Sequence, residues 1–417
     1  MFSRGRRVRR RLGRPFVRLC VGFSLASSGD GLALGAVPLL AVVVNPHPVA
    51  VSAVVAADGL PWLLVALPAG AFADRFERGP VMALANVVRA LVILSAALLV
   101  LTGAMKLWLL ILIVLVAASG RAIYYSSLQA LVPDLVKSQD LEHANGVLGA
   151  AESTTEHLSG PIVGSWLFAV SNALPFFFEG IAFLASSLSL VKFRTKAPPP
   201  TTSSTSIWDG VRLLFADRHL RILTLLVTSL SALQGMESGV LVLLATKVWG
   251  VRTGAYGLFL AVIAVGNLLG SVSVDRLVRR FGSARTLLGA AGISGVGYLL
   301  MASANGWQLA APAAALVGVA VSAGSICAVA LRQRLTPPEL MGRVSAAYRG
   351  IVWGAAPLGA LAAGGLAAIA TLRLPILVAG ALQIAVALVL AWPLVASSRD
   401  RPPRGSHVKG SLGGEQQ

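Results

Sequence analysis

The stretch Gly70-Ala71-Phe72-Ala73-Asp74-Arg75-Phe76-Glu77-Arg78-Gly79 closes an apolar run that begins near residue 49, and another apolar run opens directly after it, near residue 80. About 20 apolar residues wound as a helix, at roughly 1.5 Å per residue, cover the ~30 Å hydrocarbon core of a bilayer. Two such runs joined by a short charged turn therefore read as a membrane hairpin. The pattern returns further along: Ser271-Val272-Ser273-Val274-Asp275-Arg276 closes the apolar run that starts near residue 254, 201 residues on. Pro133-Asp134-Leu135 and Pro338-Glu339-Leu340 are displaced by 205, and Asp30 and Glu237 by 207. One near-constant offset on equivalent spans implies two duplicated halves related by an axis along the membrane normal.

Composition agrees with that reading. The 417 residues are 56% hydrophobic and 12% charged, with mean hydropathy +0.78, whereas globular domains carry about a quarter charged residues. Backbone in lipid must satisfy its own hydrogen bonds, which leaves helices or a closed barrel. Runs such as 87–101 and 107–116 are apolar on every face rather than alternating, which selects helices. Twelve spans follow, at about 16–43, 49–73, 80–102, 107–128, 143–170, 173–192, 220–246, 254–275, 284–303, 307–330, 343–368 and 374–396. The fifth is the least apolar, because it holds Glu152, Glu156 and His157.

The net charge of +18 does not indicate a nucleic-acid partner, because the basic residues gather on one side of the predicted topology. The opposite side holds Lys106, Lys247, Arg252 and Arg373. Arg89, Arg121 and Arg349 lie inside spans, and the rest of the 35 fall in the two tails and the even-numbered loops. Positive loops stay inside, so both termini are expected in the cytoplasm of a bacterial inner-membrane protein. The Arg-rich start is an orientation anchor rather than a cleaved signal, since its apolar run is too long and no small-residue cleavage site follows. The domain plan is a basic tail (1–15), a six-helix half (16–193), a cytoplasmic linker (194–219), a second half (220–396) and a disordered tail (397–417). Cys20 and Cys327 fall in different spans with no disulfide pattern.

No enzyme constellation is present. The five histidines show no metal spacing, and no Gly-x4-Gly-Lys-Ser/Thr phosphate loop occurs. Neither a cofactor nor a metal is expected, and an ion gradient takes the place of ATP as the energy source.

Read together, Gly70, Asp74, Arg75 and Arg78 resemble the major facilitator superfamily signature between helices 2 and 3. The resemblance extends to Ser28-Gly29-Asp30-Gly31, to Leu131-Val132-Pro133-Asp134-Leu135 and to Pro338 through Val344, which look like the branch of macrolide-type efflux proteins and enterobactin exporters. Gly160-Pro161-Ile162-Val163-Gly164 is similar to the core of the antiporter signature of drug exporters, which carries glycine where Glu156 and Ser165 stand here. A proline kink with small residues for close packing is the plainer reading of that motif. The resemblance implies an all-α fold of twelve transmembrane helices in two pseudo-twofold halves. It also implies a midplane substrate site built by helices 1, 4, 5, 7, 10 and 11, and a switch loop (Gly70, Asp74, Arg75, Arg78, with Asp275 and Arg276 in the second half) that latches one half against the other.

Ionisable groups inside a membrane are costly and mark function. Asp30, Glu152 and Glu156 are the expected proton-coupling carboxyls, with Arg121 as counter-charge. Glu152 and Glu156, four apart, share a helix face. A carboxyl that alternates between an arginine and apolar walls binds and releases a proton in turn, enough to couple proton entry to substrate exit. Asp30, Arg121, Tyr124, Gln234 and Glu237 are expected around the substrate. Glu179 is placed near a span end in solvent, and Arg89 and Arg349 are expected to snorkel to the surface or to pair structurally rather than to meet substrate. The function expected is export of small organic molecules by proton antiport, by a monomer whose partners are substrate, protons and lipid. Proton-coupled uptake of a nutrient or lysolipid on the same fold is one alternative, and a non-transporting scaffold or receptor is another.

Overall fold

The computed structural model describes residues 2–64, 77–191, 193, 207–337 and 340–399, with side chains over 12–62, 77–191, 193, 210–337 and 340–390. Gly70, Asp74, Arg75, Pro338, Glu339, the Pro- and Ser-rich segment 197–206 and the residues after 399 lie outside them.

Among the described residues, eight helices are long and apolar enough to cross a membrane: α1 (Leu12–Val44), α3 (Arg78–Leu101), α4 (Leu107–Leu135), α7 (Arg218–Val248), α8 (Thr253–Phe281), α9 (Ser283–Ser303), α10 (Trp307–Leu335) and α11 (Met341–Ile369). Three more, α2 (Pro48–Leu64), α6 (Leu174–Leu190) and α12 (Leu374–Arg399), have shorter apolar stretches. The remaining span, α5, is built in three pieces: Leu141–Glu152, a π-helical turn Ser153–Ser159, and Gly160–Val170. Local chemistry explains the turn. Ser153, Thr154 and Thr155 send their hydroxyls back to the carbonyls four residues earlier, at 2.8, 2.8 and 2.9 Å, and Ser159 bonds the carbonyl five back, at 2.8 Å. Pro161 then brings no backbone N–H to the following turn. A π turn of this kind is a frequent mark of a functional site.

The five main packing pairs of the first half recur six helices later. The contacts α1–α5, α1–α6, α2–α4, α3–α4 and α3–α6 match α7–α11, α7–α12, α8–α10, α9–α10 and α9–α12. Small residues set the closest of these. A Cβ on Gly31 would stand 2.5 Å from the Thr155 carbonyl oxygen, and one on Gly164 would stand 2.4 Å from that of Leu32. In the second half a Cβ on Gly235 would stand 2.0 Å from the Ala356 carbonyl oxygen, and one on Gly239 would stand 2.8 Å from that of Ala360. Paired small residues four apart are how helices approach closely in lipid. The duplication is thus a duplication of contacts as well as of sequence signals. Leu84, Leu188, Val272, Ile369 and Leu388 stand exposed on the outer surface, as a lipid-facing wall requires.

The halves meet through α2 with α11 and α5 with α8. Gly257 packs on the Pro161 carbonyl, Gly364 on Ser52, and Gly59 on Pro357. Ser165 accepts a hydrogen bond from the Gly257 N–H at 2.9 Å, and Lys247 reaches the Pro46 carbonyl at 3.4 Å. Most of these contacts sit at the end that carries loops 45–47, 171–173 and 249–252, so this end is closed.

Three expectations are adjusted. The basic start is helical from Phe2, broken from the membrane part by Gly13 at φ 83°. Within the expected linker 194–219, Ile207–Ala216 forms a helix that lies on α11, with Leu214 buried among Val344, Ala347 and Tyr348. Helix α8 continues past Asp275-Arg276 and stops at Gly282, at φ 78°, so that pair lies within a helix and not in a loop. Cys20 and Cys327 are both free thiols.

Candidate functional site

Ser27-Ser28-Gly29-Asp30-Gly31 fixes the centre. A Cβ on Gly29 would meet the Phe183 ring at 2.8 Å, so the two glycines let α6 and α5 close in on either side of Asp30. The Asp30 carboxylate, 4% exposed, then meets arginines from two other helices. Arg89 of α3 donates to Oδ1 and its guanidinium lies over the Phe183 ring, 3.8 Å from the centroid. A second donation runs from Arg89 to Asn86 at 3.4 Å; Asn86 donates to Ser186 at 2.9 Å, and Ser186 to the Gly22 carbonyl at 2.6 Å. Arg121 of α4 places its Nε 3.8 Å from the same Asp30 oxygen and donates through Nη2 to Glu156, which is fully buried in the π turn of α5.

The chain continues through Tyr125. Its hydroxyl lies 2.9 Å from Glu156 Oε2 and 3.1 Å from Glu152 Oε1. A phenol has one hydrogen and donates once. The second contact is satisfied when a carboxyl carries its own proton and donates back to the phenolic oxygen. One continuous path thus runs from Arg89 through Asp30, Arg121, Glu156 and Tyr125 to Glu152, with arginines and acids in alternation and room for a proton at its far end.

Two cavities flank this path. The first, of about 430 Å³, is bounded by both halves: Asp30, Asp58, Arg89, Arg121 and Glu179 from the first, and Gln234, Tyr256 and Pro357 among those from the second. The second, of about 630 Å³, lies toward the other end, between Trp62, Tyr125, Gln129, Glu152, Ser231 and Trp353. Arg121, Gly59, Gln234 and Ala356 border both.

Asp30, Arg121 and Gln234 stand at the cavities, whereas Tyr124 and Glu237 line neither of the two. Tyr124 is fully buried with its ring against Tyr125. Glu237, 7% exposed, turns into the second half, where Tyr298 donates to it at 3.5 Å. Glu179 is not solvated at a span end: it is 2% exposed with one oxygen unpartnered, and it borders the first cavity. Helix α10 lines neither cavity, and α2, α3, α6 and α8 line the first. Gly160 and Gly164 are the surfaces on which α1 seats, and Pro161 meets Gly35 and Gly257.

Among the switch residues, Arg78 ties the start of α3 to the end of α4 through Asp134 and the Ala130 carbonyl. Asp275 pairs with Arg279 at 3.6 Å on an exposed face, and Arg276 is exposed. Gly70, Asp74 and Arg75 are outside the described residues. A metal was not expected, yet Glu152, Glu156 and His157 bring ligand atoms within 4.8 Å of one another. The Arg121 guanidinium already on Glu156 opposes a dication there. The sequence reading passes over Asp58, although Asp58-Gly59 inside an apolar run repeats the pattern of Asp30-Gly31.

The sequence profile of the family described as transmembrane secretion effector matches residues 25–406, nearly the whole chain. The chain belongs to that family, within the major facilitator superfamily. This transporter is similar to the uncharacterized MFS-type transporter YfiS of Bacillus subtilis (strain 168), at 27% identity over 395 residues, covering 90% of this chain and 92% of that one. It is also similar to the multidrug efflux pump Tap of Mycolicibacterium fortuitum, at 24% over 393 residues, covering 89% and 95%. Among solved structures, the nucleoside transporter NupG (D323A mutant) superposes with TM-score 0.73 at 14% identity, over 92% of this chain and 99% of the other. A bacterial homologue of the iron transporter ferroportin in its inward-facing state gives 0.71 at 22%, over 91% and 98%. These structural likenesses establish the major facilitator fold, and the family match makes the chain a multi-pass membrane transporter and not an enzyme.

Proposed function

We propose that this transporter exports small organic molecules from a bacterial cell by proton antiport, working as a monomer in the inner membrane with both termini in the cytoplasm. The observation that carries the reading is the partly buried chain Asp30–Arg121–Glu156–Tyr125–Glu152, strung between two cavities. Arg121 is shared by Asp30 and Glu156, and Arg89 also holds Asp30, so a motion of Arg121 toward Asp30 releases Glu156. The released carboxyl takes a proton, because a bare charge in that setting is costly. Substrate leaving one cavity and a proton entering the other side are thereby linked through one guanidinium. The similarity to Tap supports outward transport.

In this reading residues 16–193 and 220–396 rock as two bodies, the closed end faces outward, and Gly70, Asp74, Arg75 and Arg78 with Asp275 and Arg276 act as the cytoplasmic latch. Everted vesicles carrying the protein test it. Addition of a transported toxic compound to energised vesicles should release protons, and a deletion strain should become hypersensitive to the same compound. Glu156→Gln and Asp30→Asn should abolish the proton release. Unaltered release in both variants, or a deletion strain whose only defect is growth on one nutrient, contradicts the proposal.

A further inference from the structure

The inter-half cavity has more acid than base at bonding distance. Asp30, Asp58 and Glu179 border it beside Arg89 and Arg121. Both guanidiniums are engaged, Arg89 by Asp30 and Arg121 by Glu156 and Asp30. Among the described residues no basic side chain comes within ion-pair distance of Asp58 or Glu179. Asp58 is exposed on the cavity wall. Glu179 is 2% exposed, and its Oε2 has no hydrogen-bond partner. A buried acid without a partner needs a cation or a proton.

We infer that Asp58 and Glu179 form the charge receptor of the cavity, which takes a lipophilic organic cation, with Asp58 the residue that selects for positive charge. The inference rests on reading the chain as a small-molecule transporter. The rest of the wall decides the kind of cation. Val37, Val54, Val114, Leu241 and Leu260 are hydrocarbon, whereas a magnesium- or calcium-like ion asks for six or more oxygen ligands. Two free carboxylates in an apolar chamber of about 430 Å³ suit a charge spread over, or shielded by, a drug-sized apolar body. Tyr256 on the same wall offers the aromatic surface that receives such cations.

The test is equilibrium binding to the full-length protein in nanodiscs, with no gradient. Tetraphenylphosphonium and tetraphenylborate share one shell and differ in the sign of charge. Tetraphenylphosphonium should bind, and tetraphenylborate, titrated separately, should bind at least tenfold more weakly. Asp58→Asn should weaken binding at least tenfold, Glu179→Gln should weaken it severalfold, and Asp58→Glu should stay within threefold of wild type, which separates lost charge from lost fold. Binding of tetraphenylborate alone as tight as that of tetraphenylphosphonium, or unchanged affinity in both neutral variants, overturns the inference. So does failure of both tetraphenylphosphonium and rhodamine 6G to bind. Because the assay is blind to coupling, a protein that binds the cation yet releases no protons in vesicles sinks antiport alone. Proton release driven by neutral or anionic compounds, without cation binding, sinks this inference alone.

Discussion

At the scale of single residues, the centre is held by pairs that cannot be broken singly at low cost. Arg89 and Asp30 are both buried, and removing one partner of a buried ion pair typically costs about 3–5 kcal/mol, because the other charge is left bare. Arg89→Leu should therefore lower the thermal midpoint strongly, and Asp30→Asn combined with Arg89→Gln should recover part of the loss while transport stays absent. Equal destabilisation in single and double variants would show that the two do not act as a pair. Tyr125 is a milder case. Tyr125→Phe removes a hydroxyl held between two carboxyls, for about 1 kcal/mol of stability. It should slow proton release while leaving substrate affinity unchanged, and a normal rate of proton release would exclude the phenol from the path. This scale was the least legible in the sequence. Asp30, Glu156 and Arg121 stand out as charges within spans, but their partners come from helices 35 to 91 residues away in the chain, and spacing carries no sign of that. Arg89 looks like a residue that could reach the membrane surface, until Gly120 and Phe183 are seen to hold it in place.

At the scale of the helix, glycines decide which elements touch. Gly31→Ala would place a methyl 2.5 Å from the Thr155 carbonyl, against backbone that has no free rotamer to yield. Overpacking of this kind costs about 1–3 kcal/mol. In α9, Gly292 has nothing within 4 Å of its would-be Cβ, so Gly292→Ala should be neutral or stabilising, by up to about 1 kcal/mol from helix propensity. Unfolding temperatures of the two variants in detergent compare these directly, and a neutral Gly31→Ala would mean that α1 and α5 are not fixed by this contact. Eleven of the twelve spans could be read from hydropathy, because a run that must satisfy its backbone in lipid has little choice of structure. The fifth could be placed, but its π turn could not be foreseen: Ser153-Thr154-Thr155 signals polarity, and only the hydroxyl bonds to the preceding turn show how that polarity is used.

At the scale of the molecule, duplication was legible in the offset of short motifs, and the recurrence of five packing pairs gives it a physical meaning. Two bundles of the same design meet through two equivalent contacts, α2 with α11 and α5 with α8, around a cavity that neither encloses alone. An interface made of glycine and backbone contacts can part and re-form without rebuilding a side-chain core, which is what rocking of packed bodies needs. The closed end supplies the lock that tests this. A Cβ on Gly254 would stand 3.2 Å from the Ala169 methyl, close to the span of a disulfide. The decisive measurement is transport by Ala169→Cys/Gly254→Cys, in a background where Cys20 and Cys327 are alanine, before and after oxidation. The account predicts that complete cross-linking abolishes transport and that reduction restores it. Full transport with that end covalently shut would contradict it.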